Sequence, residues 1–379
     1  MRVLHFIKGL GRGGAEMLLV HALRYADLDH FEYEYAYMLP HKDALVPELQ
    51  AQGARVHLVP GGSKADLAVA PWRLSRLVKE RDFDLVHAHL PVAGMVARVA
   101  GVLADVPVLY TEHNLNDRYG RLTRWGNRLT WGLNAGVAAV SRPVAESIGN
   151  TMPARSQIPV RTVVNGIDTR QFEEVKGRSE TRDRLGIAAD APVVVNVAVF
   201  RQQKRLDLWL ETAQRVREVL PETRFILVGD GPLRQSVESW IADRGLADRV
   251  HLVGLQEDVK PFLAAADLFL LTSDFEGLPL AVIEAMASGL PVVATRAGGV
   301  PDLVGEPALT HDGERSGGVL VGLGDVAGCV AATVELLSHH DRLVAAGRDA
   351  RARASRDFSV ERMVREYEQF YESLLSSHR

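Results

Sequence analysis

The chain has 379 residues and a single cysteine, Cys329, so no intrachain disulfide can form and a reducing compartment suits it. It also lacks a strong charge of either sign. Its 44 basic and 48 acidic side chains leave a net charge of −4, which argues against a dedicated nucleic-acid binder but leaves room for local basic patches. No apolar run approaches the roughly 20 residues that span a bilayer. Asp267 interrupts the best candidate, Phe262–Leu271. Met1–Leu10 holds one short apolar run broken by Lys8 and Gly9, which is not the pattern of a signal peptide, so the expected location is the cytoplasm. Several chemical signatures are missing too. There is no His-Glu-x-x-His, paired-cysteine or calcium-loop pattern, no Gly-x-x-x-x-Gly-Lys-[Ser/Thr] loop and no Gly-x-Ser-x-Gly, and no metal site is expected.

Hydrophobic residues at 47% and charged residues at 24% describe a globular protein long enough for two domains. Strand-like apolar runs occur at Val3–Ile7, Glu32–Leu39, Arg55–Val59, Leu85–His89, Val106–Thr111, Val137–Val140 and Val160–Val164, with helical patterns in most of the gaps. A second series begins at Val193–Phe200 and continues with Arg224–Val228, Arg249–Val253, Leu268–Thr272 and Pro291–Thr295. Continuous Val/Leu/Ile-rich strands separated by helices predict parallel sheets covered on both faces. The rhythm weakens between Gln171 and Ala191, which reads as a hinge with a short helix of its own. The expected fold class is therefore α/β: two Rossmann-like domains facing each other across a cleft, 1–172 and 173–358. The run from 359 to 379 is expected to form a helix that crosses back to the first domain.

Four segments carry residues suited to chemistry. Gly9-Leu10-Gly11-Arg12-Gly13-Gly14 follows the first strand and opens a helix, where glycines allow close approach and free N–H groups face an anion. Gly9, Gly11 and Gly14 also fit dinucleotide spacing, but the second strand ends Tyr37-Met38-Leu39-Pro40 without the acid a ribose needs. A tight turn is the plainer alternative. The run Asp274–Ala285 follows a strand. Pro279 suits the first turn of a helix, so Gly277, Leu278, Pro279 and Leu280 form an expected phosphate cradle, with Glu276 at its mouth and Glu284 one turn inside. Two surface glutamates are the alternative. Arg201 and Lys204 stand three residues apart at a strand end, placed either to neutralise a diphosphate or to be solvated in a basic turn. His113 ends a first-domain strand, facing a ligand or satisfying a neighbouring loop. His87 and His89, near another strand end, receive no role.

Taken together, these segments resemble the retaining, nucleotide-sugar-dependent glycosyltransferases of family four, which have the GT-B fold. The resemblance covers nearly the whole chain. Its strongest element is Glu276 and Glu284, separated by seven residues, within Glu276-Gly277-Leu278-Pro279 and on through Thr295. Gly298–Val304, Gly13–Glu16, Val164–Asp168, Gly229–Pro232 and the pair Arg201 and Lys204 add to it. The resemblance implies that Arg201 and Lys204 hold the donor diphosphate and that the backbone from Gly277 to Leu280 helps bind the donor. It further implies that Glu284 binds the ribose, that Glu276 contacts the transferred sugar, that Gly13 and Gly14 close over the phosphates and that His113 lies near the sugar. Catalysis would then rest on His113, Glu276, Arg201 and Lys204, with no cofactor and no metal. Family members often have glycine just before the arginine; here it is Phe200.

The implied activity is transfer of a sugar from a nucleotide-diphosphate sugar to a sugar, lipid-linked or small-molecule acceptor, in glycan, glycolipid or polysaccharide biosynthesis. The rivals are a nicotinamide-dependent oxidoreductase and a non-catalytic sugar-nucleotide-binding protein. One more segment stands out. Arg118–Trp131 carries four arginines and no acid. If helical, it sets Arg121, Arg124 and Arg128 on one face and Leu122, Trp125 and Leu129 on another, a pattern able to lie on an anionic membrane surface. The alternative is that Trp125 and Leu129 pack into the first domain.

Overall fold

The structure is a computed structural model that describes residues 1–115, 119–152, 158–173, 177–305 and 317–378. They form two compact units, Met1–Ile167 with the segment from Val360 onward, and Asp168–Ser359. The division falls between residues 167 and 168, ahead of the expected boundary after 172, because the 3-10 turn Thr169–Phe172 packs on the helix Leu280–Ala287 of the second unit.

Each unit contains one parallel sheet, as the two series of apolar runs predict. The first comprises β1 (Arg2–Ile7), β2 (Glu32–Tyr37), β3 (Arg55–Leu58), β4 (Leu85–His89), β5 (Val108–Glu112), β6 (Gly136–Ala139) and β7 (Val160–Thr162). Its spatial order is β3-β2-β1-β4-β5-β6-β7. The second comprises β8 (Val193–Val197), β9 (Arg224–Val228), β10 (Val250–Gly254), β11 (Leu268–Leu271), β12 (Val292–Thr295) and β13 (Gly318–Val321), in the order β10-β9-β8-β11-β12-β13. Residues such as Val193–Val195, Leu268–Leu271 and Val292–Ala294 are buried because helices cover both sheet faces. In each sheet the winding direction reverses beside the first strand, between β1 and β4 and between β8 and β11. The carboxyl ends of strands at such a reversal are where open α/β sheets bind ligands.

The strand β13 is missing from the sequence-based expectation. Its first residue, Gly318, lies so close to the Val292 carbonyl that a Cβ would collide with it, so the ladder demands glycine where apolar patterning would show a side chain. The helix Val360–His378 packs within the first unit. Tyr371 OH pairs with His87 Nδ1 at 2.7 Å, Tyr367 OH with Thr111 Oγ1 at 3.2 Å, and Glu368 accepts from Tyr33 OH at 3.1 Å.

Within the polar stretch 171–191 the expected short helix forms. This helix, Arg178–Leu185, is docked by two arginines. Arg182 is buried and donates to the carbonyls of Ala265, Ala188, Ala189 and Ala191 and, at 2.9 Å, to Asp267. Arg178 reaches the other Asp267 oxygen at 2.5 Å. The acid that interrupts the apolar run Phe262–Leu271 is thus the anchor of this helix. Arg182→Leu should leave those carbonyls unsatisfied and lower the stability of the second unit by about 3 kcal/mol. A melting temperature equal to that of the wild type would show the helix to be docked by other means.

Candidate functional site

At the carboxyl ends of β8 and β11, two loops are stitched into one surface. Phe200 is buried in the second-unit core, its N–H bonded to the Asp230 carbonyl at 2.9 Å. Its φ is not positive, so the backbone here does not need the glycine that relatives often carry. Arg201 follows and is exposed, with no ion-pair partner among the described residues. The chain then makes a 3-10 turn, Gln202–Lys204, and leaves it through Arg205 in a left-handed conformation with φ 45°. Thr272 donates its hydroxyl to the carbonyls of Lys204 and Arg205, and the Asp274 N–H bonds to the Gln203 carbonyl at 2.8 Å. Arg205 closes the seam on Asp274 at 3.2 Å.

This seam brings Lys204 and Glu276 together. The ammonium donates to Glu276 Oε1 at 2.6 Å, and the Ser273 hydroxyl donates to the same oxygen at 2.6 Å. Both partners of the ion pair are largely shielded, with side chains 16% and 10% exposed, so solvent screens it weakly. Glu276 is also fixed from behind. Gly298 has φ +56° and passes so close that a Cβ would collide with the Glu276 carbonyl, and the Gly299 N–H bonds to that carbonyl at 3.3 Å. The run after the second glutamate therefore has a definite task, which is to hold the first one.

Gly277–Pro279 are buried and lead into the helix Leu280–Ala287. Pro279 occupies the cap position, one residue earlier than expected, with φ −74° and ψ 115°. No side chain caps this terminus, so its first N–H groups have no side-chain acceptor. Glu284 lies one turn inside and accepts no hydrogen bond from the described residues. Burial pushes its carboxyl up to about 7, with the Asp258 charge adding to the shift. Among the described residues, Glu276 thus pairs with Lys204, and Glu284 and Arg201 have no partner.

The first unit holds Gly13, Gly14 and His113. The helix Gly14–Leu23 starts directly after Gly13, and a Cβ on Gly13 would collide with the Glu16 carboxylate. None of the loop glycines has a left-handed φ, so a tight turn does not explain them. His113 follows β5, and its Nε2 pairs with His89 Nδ1 at 3.3 Å. His89 Nε2 in turn pairs with His5 Nδ1 at 3.1 Å. His87, held by Tyr371, also contacts Thr111 Oγ1 at 2.7 Å. Sequence reading gave His5, His87 and His89 no role. The signal was the His-x-His alternation on β4, which puts both rings on one sheet face, with His5 opposite His87 in the β1–β4 register. Ring nitrogens of His5, His87 and His89 lie within 4.8 Å of one another, close enough to converge on a cation.

Arg118 lies outside the described residues, but the helix Arg121–Thr130 forms as expected. Its packing corrects the alternative that buries Trp125 and Leu129. Leu122, Trp125 and Leu129 are 87%, 65% and 62% exposed. The helix docks through its small and polar face: Gly126 lies against Met95, and buried Asn127 accepts from Arg98 at 2.6 Å. Among the described residues no helix is long and apolar enough to cross a membrane.

The raised pKa of Glu284 has a consequence for stability. The folded state holds this proton more tightly than an unfolded chain does. The carboxyl therefore favours folding at low pH and opposes it as pH rises from the ordinary carboxylate range through about 7. Glu284→Gln should raise the melting temperature at pH 8 and leave it nearly unchanged at pH 5. An equal effect at both values would show the carboxyl to be well solvated.

Comparison with known proteins agrees with this geometry. Residues 1–166 match the family model for the glycosyl transferase 4-like domain, and residues 191–339 match that for glycosyl transferases group 1. N-acetyl-alpha-D-glucosaminyl L-malate synthase of Bacillus anthracis is 27% identical over 327 residues, 82% of this chain and 80% of that protein. The UDP-Gal:alpha-D-GlcNAc-diphosphoundecaprenol alpha-1,3-galactosyltransferase of Escherichia coli is 26% identical over 237 residues, 60% of this chain and 61% of that one. In fold, the chain resembles the solved structure of Anabaena Alr3699/HepE in complex with UDP-glucose, with a TM-score of 0.85 and 22% identity over 98% of this chain and 100% of that one. With one family model lying on each sheet, the chain belongs to the group 1, family-four glycosyltransferases and has the GT-B fold, which removes the nicotinamide-dependent oxidoreductase reading.

Proposed function

We propose that the protein transfers a hexose from a nucleoside-diphosphate sugar to an acceptor hydroxyl with retention of anomeric configuration. The observation that carries this is the Lys204–Glu276 pair at the strand ends of the second unit, beside unpaired Arg201, the uncapped terminus of the helix Leu280–Ala287 and unpaired Glu284. Breaking the bond to the anomeric carbon develops oxocarbenium character on the sugar and negative charge on the departing diphosphate. Cations and N–H dipoles fixed in advance stabilise that leaving group most effectively. Arg201 and Lys204 supply the cations, and the backbone from Gly277 to Leu280 supplies the dipoles, so the step invokes no metal. When a diphosphate draws Lys204 away, Ser273 still satisfies Glu276, which is then free to grip a sugar hydroxyl. Glu284 holds the ribose. His113 contacts the transferred sugar, and Gly13 and Gly14 attend the phosphates. Retention rests on the family resemblance, with attack from the face the leaving group departs.

The E. coli relative named for a UDP-galactose donor and the Anabaena structure with UDP-glucose favour a uridine nucleotide here. The diphosphoundecaprenol in that relative's name favours a lipid-linked acceptor. The exposed Leu122, Trp125 and Leu129 beside Arg121, Arg124 and Arg128 support peripheral association with the anionic inner face of a membrane. Each basic residue near such a surface contributes about 1 kcal/mol.

Two measurements test these assignments. Glu284→Ala should weaken UDP binding by calorimetry, whereas Glu276→Ala should bind UDP nearly as tightly as the wild type and yet lose sugar transfer; equal UDP affinity in wild type and Glu284→Ala would remove the ribose role. Cosedimentation with vesicles of rising anionic lipid content should show binding that weakens with salt and disappears in the Arg121/Arg124/Arg128 triple Glu variant. Absence of binding at every composition would leave a soluble acceptor.

A further inference from the structure

His113 is joined to the interior of its unit by a chain of imidazoles. Its Nε2 faces His89 Nδ1 at 3.3 Å, and His89 Nε2 faces His5 Nδ1 at 3.1 Å. The rings come from three adjacent strands, β1, β4 and the end of β5, so the sheet itself sets their spacing. Burial keeps all three neutral at pH 7, pushing His5 down to about 3, His113 to about 4 and His89 well below the usual imidazole range. A neutral imidazole has one N–H and one lone pair. Each contact in the chain therefore needs one ring to donate and the next to accept, and only two arrangements satisfy both. In one, His5 donates to His89 and His89 to His113, which leaves His113 with an Nδ1–H. In the other the direction is reversed, and His113 offers a bare Nδ1. Reversal requires all three rings to change together.

Among the described residues no other group competes for this task. The neighbouring Glu112 carboxylate is committed to Tyr110 OH at 2.8 Å, to Tyr119 OH at 2.5 Å and to the Asn114 N–H at 3.3 Å. No carboxylate is hydrogen-bonded to His113 among the described residues, and its Nδ1 has no partner among them.

We propose that His89, held in turn by His5, is a positioning residue that fixes the tautomer and ring orientation of His113, and so determines what His113 Nδ1 presents to the transferred sugar. The tautomer of a histidine is set by the hydrogen bond that its other nitrogen makes. His89 acts through His113 and touches no substrate itself. The part concerning the sugar rests on the function proposed above; the tautomer lock does not.

Two substitutions separate the two bonds of His89. The Asn amide reaches the position of Nδ1, so His89→Asn retains a partner for His113 and loses His5. The Gln amide reaches the position of Nε2, so His89→Gln retains His5 and loses His113. The readout is the long-range 1H–15N spectrum of protein with 15N-labelled imidazoles at pH 7.5, with His113 assigned by its loss in His113→Gln. The expected result is one protonated and one unprotonated ring nitrogen for His113 in the wild type and in His89→Asn, and averaged nitrogens in His89→Gln. If His89→Gln does not fold, His89→Ala likewise leaves His113 Nε2 without its partner and should also produce averaging. Averaged nitrogens in the wild type, or a His89→Gln spectrum identical to wild type, would overturn the proposal. So would a metal ion retained by the purified protein and lost in His89→Asn, since the same nitrogens would then be ligands.

A turnover measurement with UDP-glucose as the probe separates this proposal from the functional reading. His89→Gln should lower kcat by about tenfold with little change in KM, because a catalytic histidine in the wrong tautomer fails in the chemical step, and His89→Asn should retain most of the rate. If His113→Gln turns over like wild type while the spectra behave as expected, the lock stands and the role of His113 on the sugar falls. If His113→Gln is slow and His89→Gln is not, the positioning role falls.

Discussion

The ion pair between Lys204 and Glu276 is the interaction on which the candidate donor site depends. A lysine and a glutamate 72 positions apart meet at 2.6 Å only because two strand-end loops are bound to each other by Thr272, Asp274 and Arg205. Glu276 then has no freedom to withdraw, because the backbone of Gly298 lies against its own. The pair also stores the site's charge in a neutral form. An ammonium this shielded would be unfavourable alone, and the carboxylate neutralises it.

The first unit solves a different problem. Its strand ends present buried rings in place of charges, and burial keeps those rings neutral. Neutral imidazoles discriminate by the direction of their hydrogen bonds, which suits contact with uncharged hydroxyls. The second unit instead offers cations and unpaired amides, which suit a diphosphate. The two parallel sheets share one winding rule, but the residues at their carboxyl ends are suited to different parts of a sugar-nucleotide reaction.

Much of this was legible in the sequence. Twelve of the strands follow from strand-like runs, most of them rich in Val, Leu and Ile, because strands buried on both faces leave an apolar signature. The Glu276–Glu284 spacing and the basic pair after β8 were legible because local chain geometry alone places them at a strand end. Three things were not. β13 was hidden by its shortness, since the close approach of Gly318 to Val292 leaves only Val319–Val321 as an apolar run. The docking of the short helix within 171–191 was hidden because the buried Arg182 reads as polar until its acceptors are known. The imidazole chain depends on strand neighbours in three separate parts of the sequence, and register across a parallel sheet is set by tertiary packing. The exposure of Trp125 was illegible for a related reason: that helix docks by Gly126 and Asn127, residues that hydrophobic patterning assigns to the solvent side.

A nucleoside diphosphate bound to the second unit would lie in a cradle of Arg201, Lys204 and the backbone from Gly277 to Leu280. Calorimetric titration of the intact protein with UDP, and separately with NADH, tests it most directly. The expected result is saturable one-to-one binding of UDP that is lost in an Arg201/Lys204 double Ala variant, and no binding of NADH over the same range. UDP binding that survives the double substitution unchanged, or tight binding of NADH without UDP, would contradict it.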